Sequence, residues 1–189
     1  MSFIYKALSI LVAMVLHEWA HGFVSYKLGD PTPKNDGRLS LNPIKHVDPI
    51  GALCMLFAGF GWAKPVQVNY QYYKDEKKGM AITALAGPLM NFLIAIVAIA
   101  LNKHIFGNGF DFLFYLSVIN ISLGVFNLMP LPPLDGSKVV AMLLPYDIYV
   151  KYMRIEQYGM IVLFLLVGAF STILGSINSI IFQFLYTIL

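Results

Sequence analysis

The chain has 189 residues, of which 58% are hydrophobic and 12% charged, and its mean hydropathy is +0.70. The length suits a single domain, 1–189, while the composition lies far outside that of a soluble globular chain, so the sequence reads as an integral membrane protein. Its net charge of +3 comes from basic residues scattered through short loops, which argues against nucleic-acid binding, and the single Cys54 cannot close an internal disulfide.

The first predicted helix covers residues 3–28 and stops at Gly29-Asp30-Pro31, where glycine and proline end the periodic pattern. Its start, Lys6 followed by an apolar run, resembles a signal peptide in outline, but no small-residue cleavage site follows, so it is read as a retained span. Inside it lies His17-Glu18-Trp19-Ala20-His21. At about 1.5 Å per residue, His17 sits roughly 21 Å from residue 3, about 9 Å short of the far edge of a ~30 Å hydrocarbon core. Ionisable groups at that depth cost several kcal/mol unless paired, neutralised or bound to a metal, which marks the pentapeptide as functional.

A polar loop over 39–49 ends in Asp48-Pro49, a pattern for a helix N-cap followed by proline at the first helical position. Residues 49–63 are uncharged but too short to cross. In Lys64 to Tyr72, the residues Val66, Val68, Tyr70 and Tyr72 alternate with polar neighbours at strand period. The expectation is a re-entrant segment leading into a short β element that lines the site, because irregular backbone at membrane depth is tolerated only against protein or a wet cavity.

Residues 79–102 and 112–128 carry no charge and can each span. The second leads into Asn127-Leu128-Met129-Pro130-Leu131-Pro132-Pro133-Leu134-Asp135-Gly136, whose prolines forbid further helix and force an extended turn. A short helix is expected near 136–144, then a last span over 155–174, with the residues beyond Gly175 too short to cross alone and left open between spanning and lying at the interface. The fold class is therefore an α-helical multi-pass membrane protein with about four transmembrane helices, a re-entrant segment and a short membrane-associated β element.

Basic residues give the orientation, since cytoplasmic loops collect Lys and Arg. Residues 27–78 hold Lys27, Lys34, Arg38, Lys45, Lys64, Lys74, Lys77 and Lys78, and residues 131–154 hold Lys138, Lys151 and Arg154, against only Lys6 and Lys103 on the other side. This bias puts the N-terminus outside, and the His17 end of the first helix and the Asp135 turn towards the cytoplasmic side of the cell membrane.

On a helix, His17 and His21 share one face a turn apart, so two imidazole nitrogens can converge on one metal with Glu18 beside them as a base. A catalytic zinc takes three protein ligands and keeps a position for water, whose pKa falls to about 7. The third ligand must come from elsewhere, because six places beyond His21 stands Lys27. Glu76 lies in a solvated charge run, Glu156 adjoins Arg154, and His104 and Asp111 fall on the opposite side, which leaves His46, Asp48 and Asp135. Asp135 is favoured because it sits in a proline-stiffened turn on the correct side, and its alternative role is to cap the following helix.

Taken together, His17-Glu18-x-x-His21, Gly87-Pro88-Leu89-Met90-Asn91 and Asn127-x-x-Pro130-x-x-x-x-Asp135-Gly136 resemble the site-2 protease family of intramembrane zinc metalloproteases. The stretch Asn42-Pro43 to Gly51, with Trp62 to Val68, looks like the small prokaryotic members without PDZ or CBS extension. The resemblance implies one zinc ion held by His17, His21 and Asp135, with Glu18 activating water. It makes Asn127 and Asn91 candidates for contact with substrate or the developing oxyanion. A second family asparagine five residues before Asn127 is here Ser122, so that contact is weaker or supplied otherwise. An interhelical hydrogen bond beside Ala86 and Gly87 is the alternative role for Asn91.

The implied activity is hydrolysis of peptide bonds in or near transmembrane segments of membrane protein substrates within the lipid bilayer, that is, regulated intramembrane proteolysis. A helical substrate must unwind before attack, and Val66 and Val68 are candidates to hold the unwound segment as an added strand. Two rival readings are a metal-binding membrane transporter, against which the absence of duplicated halves argues, and a catalytically inactive interaction protein.

Overall fold

A computed structural model describes residues 2–48, 51 and 64–189, the side chains of 156 and 160–171 excepted. The described residues form α1 (Ser2–Lys27), α2 (Thr32–Asn35), α3 (Glu76–His104), α4 (Asp111–Asn127), α5 (Asp135–Leu143), α6 (Tyr146–Met153) and α7 (Gly159–Ile188). Short 3-10 turns cover Pro43–Lys45, Tyr70–Tyr72 and Arg154–Tyr158. The helix α3 is central: it packs against α1, α4 and α5, while α1 also packs on α4, and α7 lies mainly on α4.

Small and polar residues make up much of the interior, among them Ser9, Ala13 and Ser25 of α1, Ala84, Asn91, Ala95 and Ala98 of α3, and Ser117 and Asn120 of α4, beside apolar residues such as Met80, Ile99 and Ile121. Large apolar residues face outward, as in the stripe Ile82, Leu89, Leu93 and Val97 along α3. In lipid no hydrophobic force separates inside from outside, so helices associate through close backbone approach at small residues and through interhelical hydrogen bonds. Among the described residues two helices, α1 and α3, are long and apolar enough to cross a membrane. α3 is capped at its N-terminus by Asp75, whose side chain accepts from the Lys78 amide, and ends with Lys103 and His104 in its last turn, where cations suit the helix dipole.

Two expectations are corrected. Among the described residues no strand forms over 66–72: residues 64–69 are irregular and Tyr70–Tyr72 make a 3-10 turn. A strand needs a partner ladder, and here the amides go elsewhere. The Val66 N–H donates to Glu18 Oε2 at 2.8 Å, and the Asn69 N–H to Asp30 Oδ2 at 2.7 Å. Three of the four alternating residues, Val66, Val68 and Tyr70, line one cavity together with Pro65, while Tyr72 is exposed. The last span also does not stop at residue 174, because α7 continues through Gly175 to Ile188. A glycine costs a helix only about 1 kcal/mol, and packing of Ile181, Phe182 and Leu185 against Ala95, Ile99 and Ile121 outweighs it. The re-entrant segment expected over 49–63 lies outside the described residues, apart from Gly51, whose N–H donates to Asp48 Oδ1 at 2.8 Å as expected of a cap.

Asp30, fully buried, ties the loops to the bundle. Its carboxylate accepts from Ser25 Oγ at 2.8 Å, from the Thr32 N–H at 2.9 Å and from the Asn69 N–H. Tyr73 donates to Ser25 Oγ at 2.7 Å and meets Thr83 Oγ1 at 3.0 Å, so one chain of hydrogen bonds runs from α1 through the 69–73 segment to α3. Burial works against the charged form of Asp30, but the hydrogen bonds from Thr32, Asn69 and Ser25 outweigh it and hold the carboxyl below its ordinary value. Because the folded-state pKa is the lower one, this stabilisation is complete above the unfolded carboxylate pKa of about 4 and is lost as pH falls through the folded value. Asp30→Asn is expected to lower unfolding free energy in detergent micelles by about 2 kcal/mol at neutral pH. The gap between wild type and variant should close below about pH 4.

Candidate metal centre

His17 and His21 lie one turn apart on α1, both buried against α3. Each imidazole is fixed through its Nδ1. His17 Nδ1 meets Asn91 Oδ1 at 2.6 Å, and His21 Nδ1 meets the Thr83 carbonyl at 2.7 Å. The orientation of Asn91 is set in turn, because its Nδ2 donates to Asn120 Oδ1 at 2.8 Å and to the Ala13 carbonyl at 3.3 Å. Both acceptors being oxygens, Nδ1 of each histidine must carry the proton, and in the neutral rings Nε2 then presents a lone pair.

The two Nε2 atoms are 3.0 Å apart, and Asp135 Oδ2 lies 3.2 Å from each of them. Asp135 arrives from the far end of the turn after α4. It is the first residue of α5, whose N-cap is Leu134 with no side-chain cap bond, so its carboxylate is not used for capping. Gly136 makes the approach possible, since a Cβ there would collide with the backbone of Leu128 and Met129. Gly87 does the same for α3: a Cβ would run into His21 Nε2 and the His17 ring. Pro88 beside it removes the amide that the Ala84 carbonyl would otherwise accept, and Ala84 lines the site.

A cavity of about 190 Å³ opens onto these atoms, lined by Glu18, Val66, Val68, Asn127, Asp135 and Lys138 among others. Asn127 Nδ2 donates to the Leu123 carbonyl at 3.0 Å, which leaves its second N–H for another acceptor. Asn91 lies away from this cavity; its amide is wholly engaged in holding His17, the interhelical role. Neither His46 nor Asp48 joins the cluster, His46 Nε2 lying 2.6 Å from the Ser40 carbonyl. Three participants went unnoticed in the sequence. Thr83 contributes only a carbonyl, which leaves no sequence signature. Asn120 is a lone amide in an apolar helix, a signal that was legible, and Lys138, with Nζ 3.9 Å from Asp135 Oδ1, stands at the i+3 position from it.

The model of peptidase family M50 matches residues 106–170, which include the Asp135 turn. The chain is 40% identical over 183 residues to the "Putative zinc metalloprotease YwhC" of Bacillus subtilis (strain 168), covering 91% of this chain and 82% of that one. The chain belongs to peptidase family M50. It is 31% identical over 137 residues to the likewise named Rip2 of Mycolicibacterium smegmatis, covering 67% of this chain and 52% of that protein. Zinc metalloprotease MJ0392 of Methanocaldococcus jannaschii is 32% identical over 137 residues, covering 71% of this chain and 33% of that one. The chain thus spans most of the first relative, half of the second and a third of the third. No solved structure matches. The M50 assignment makes the chain a zinc-dependent metallopeptidase, a hydrolase of a family of membrane proteases.

The donor set fits zinc on its own geometry. Tetrahedral coordination with bonds of about 2.0–2.1 Å separates neighbouring ligand atoms by about 3.3 Å, close to the 3.0, 3.2 and 3.2 Å found here. Asp135 Oδ2 is buried with no hydrogen-bond partner, and it faces two nitrogens whose protons lie on the opposite ring atoms. Three lone-pair donors pressed together away from water repel unless a cation lies among them. Asn91→Leu is expected to weaken zinc binding about 10- to 100-fold in a competition titration against a chelator. Gly87→Ala should cost at least as much, by displacing both rings, whereas Gly175→Ala, where nothing lies within 4 Å, should leave zinc binding unchanged.

Proposed function

We propose that this chain is an intramembrane zinc metalloprotease that hydrolyses peptide bonds in or near transmembrane segments of membrane proteins. The observation that carries the reading is the convergence of His17 Nε2, His21 Nε2 and Asp135 Oδ2, with both histidine tautomers fixed, at the buried end of a cavity that also holds Glu18. The proposed architecture is a single domain with four crossings, α1, α3, α4 and α7, of which the shortest, α4, spans about 25 Å for its 17 residues. The Lys- and Arg-rich segments on the side of α5 support an active site towards the cytoplasmic face.

In this reading His17, His21 and Asp135 hold the metal. Zinc supplies Lewis acidity to the scissile carbonyl and acidifies water. Glu18 takes the proton of the attacking water and returns it to the leaving nitrogen as the C–N bond breaks. The remaining amide N–H of Asn127 stabilises charge on the carbonyl oxygen. The irregular strip Val66 to Val68 lies against the same cavity, and an unwound substrate segment adds to it as a neighbouring strand, receiving from its backbone the register a helix cannot give.

Glu18→Gln is expected to retain zinc and to cleave a single-pass membrane reporter at least about 100-fold more slowly. Normal proteolysis by that variant would falsify the mechanism, and loss of ion flux in its place would favour a transporter. Val68→Pro should abolish reporter cleavage without loss of zinc, and unchanged cleavage would remove the added-strand contact.

A further inference from the structure

Each histidine of the centre has its second edge fastened, His17 by the Asn91 amide and His21 by the Thr83 carbonyl. The third donor, Asp135, also has a second atom to be accounted for. Its Oδ2 lies 3.2 Å from both Nε2 atoms, while its Oδ1 lies 3.9 Å from Lys138 Nζ. Residues three apart on a helix share a face, so α5 delivers the carboxylate and the ammonium together. Lys138 also lines the cavity that opens onto the donors, beside Glu18, Val68 and Asn127, and it is the one lysine or arginine among the described residues that line it.

Burial separates this pair from an ordinary surface ion pair. Lys78 and Asp75 have the same spacing in sequence, but their side chains are 72% and 49% exposed, against 23% and 10% for Lys138 and Asp135. Water screens exposed pairs, which contribute at most about 1 kcal/mol, whereas the attraction strengthens as water is excluded. The pairing also makes the two oxygens of Asp135 unequal. A carboxylate meets a metal through one oxygen or through both. If the second oxygen turned inward, it would take the position that a catalytic zinc keeps for water. The imidazoles cannot err in this way, because each has only one nitrogen left to offer.

We propose that Lys138 is a positioning residue for the metal centre: by holding Oδ1 of Asp135 it turns Oδ2 alone towards His17 and His21 and keeps the fourth position of the metal open. This rests on the reading above in which Asp135 is the third ligand. Lys138 acts through Asp135 and touches neither the metal nor the bond that is cut. Asn91, Thr83 and Lys138 then form one set, an orienting partner for each ligand, and the first turn of α5 supplies a ligand together with the group that aims it.

The test uses the full-length protein in detergent micelles. Zinc affinity is measured by competition with a chelator, and coordination number by the visible absorption of the cobalt(II) form, which is strong for four ligands and weak for five or six. Lys138→Met, which keeps most of the side chain without its charge, should weaken zinc binding about 10- to 100-fold. It should also weaken the cobalt absorption, as Asp135 engages through both oxygens. Lys138→Gln should show the same weakened absorption, so the outcome does not depend on one variant folding. Lys138→Arg should restore the four-coordinate spectrum and bring zinc affinity to within about threefold of wild type, since a contact to one oxygen needs the charge and not a particular fork of donors. Lys78→Met, at the exposed pair, should change neither quantity. In an Asp135→Asn background, Lys138→Met should have no further effect on zinc binding, because its partner is gone. Wild-type affinity and spectrum in Lys138→Met, with zinc binding lost in Asp135→Asn, overturn the inference and leave the ligand assignment standing. Wild-type zinc binding in Asp135→Asn overturns the ligand assignment and the inference with it. A Lys138→Arg protein no better than Lys138→Met, or an additive loss in the double variant, marks a packing role for the side chain and overturns the inference.

Discussion

The structure depends on how three lone-pair donors are kept facing one another inside an apolar bundle. Left to itself, such a cluster would protonate or turn its rings outward. It is held because the opposite edge of each imidazole is bonded to an acceptor fixed in place: the Thr83 carbonyl of the α3 backbone for His21, and for His17 an Asn91 oxygen whose amide nitrogen is already committed to Asn120 and Ala13. Each link therefore removes a degree of freedom from the next. The result is a pair of bare Nε2 atoms, fixed in direction before any metal arrives. Three helices share this task, and α3 contributes to it twice, which is why α3 is the element around which the others pack.

The same constraint dictates where the chain can carry no side chain. Rings of the size of imidazole fit between α1 and α3 only if α3 presents bare backbone, and Gly87 supplies it. The carboxylate must reach the pair from a different direction, and the turn that carries it presses Gly136 against the Leu128 and Met129 carbonyls. Both glycines sit within helices, where glycine is unfavourable by about 1 kcal/mol relative to alanine. Close approach outweighs that cost in each case. In Gly87-Pro88 and Asp135-Gly136 the residue beside the glycine bears on the site too: Pro88 leaves the Ala84 carbonyl without its amide, and Asp135 supplies the carboxylate.

Much of this was legible in the sequence, and the legible parts share a property. The His17 and His21 pair follows from helical period alone, and the bounds of α1, α3, α4 and α5 follow from uncharged runs closed by prolines, glycines and charges, whereas the last helix, with no such stop after residue 174, runs on to Ile188. Asp135 was reachable by elimination but not separable from a capping role, since an aspartate before a glycine at a helix start serves either purpose. What could not be read is whatever depends on a partner at long range. The Asn91 amide looked equally suited to substrate and to packing, and only its neighbours Asn120 and Ala13 decide between them. The period-2 run grouped Val66, Val68 and Tyr70, which do line one cavity, but whether such a run becomes a strand depends on a second strand, and its amides found two carboxylates in place of one.

Those two carboxylates give the loop its function on the proposed reading. Glu18 and Asp30 stand near the middle of α1 and just beyond its end, and they take the amides of Val66 and Asn69 respectively, so the strip between them is stretched along α1 and fastened at both ends. An edge held this way keeps its other face open, which a strand already paired in a sheet would not. Glu18 is at once the proton carrier and one of the fastenings. A carboxylate has two oxygens, and with Oε2 bound to the Val66 N–H the other remains for water. The base is thereby positioned relative to the edge that receives substrate by a direct bond 2.8 Å long, so the distance from proton acceptor to bound peptide is set within the chain, and the residues that order the substrate also order the chemistry.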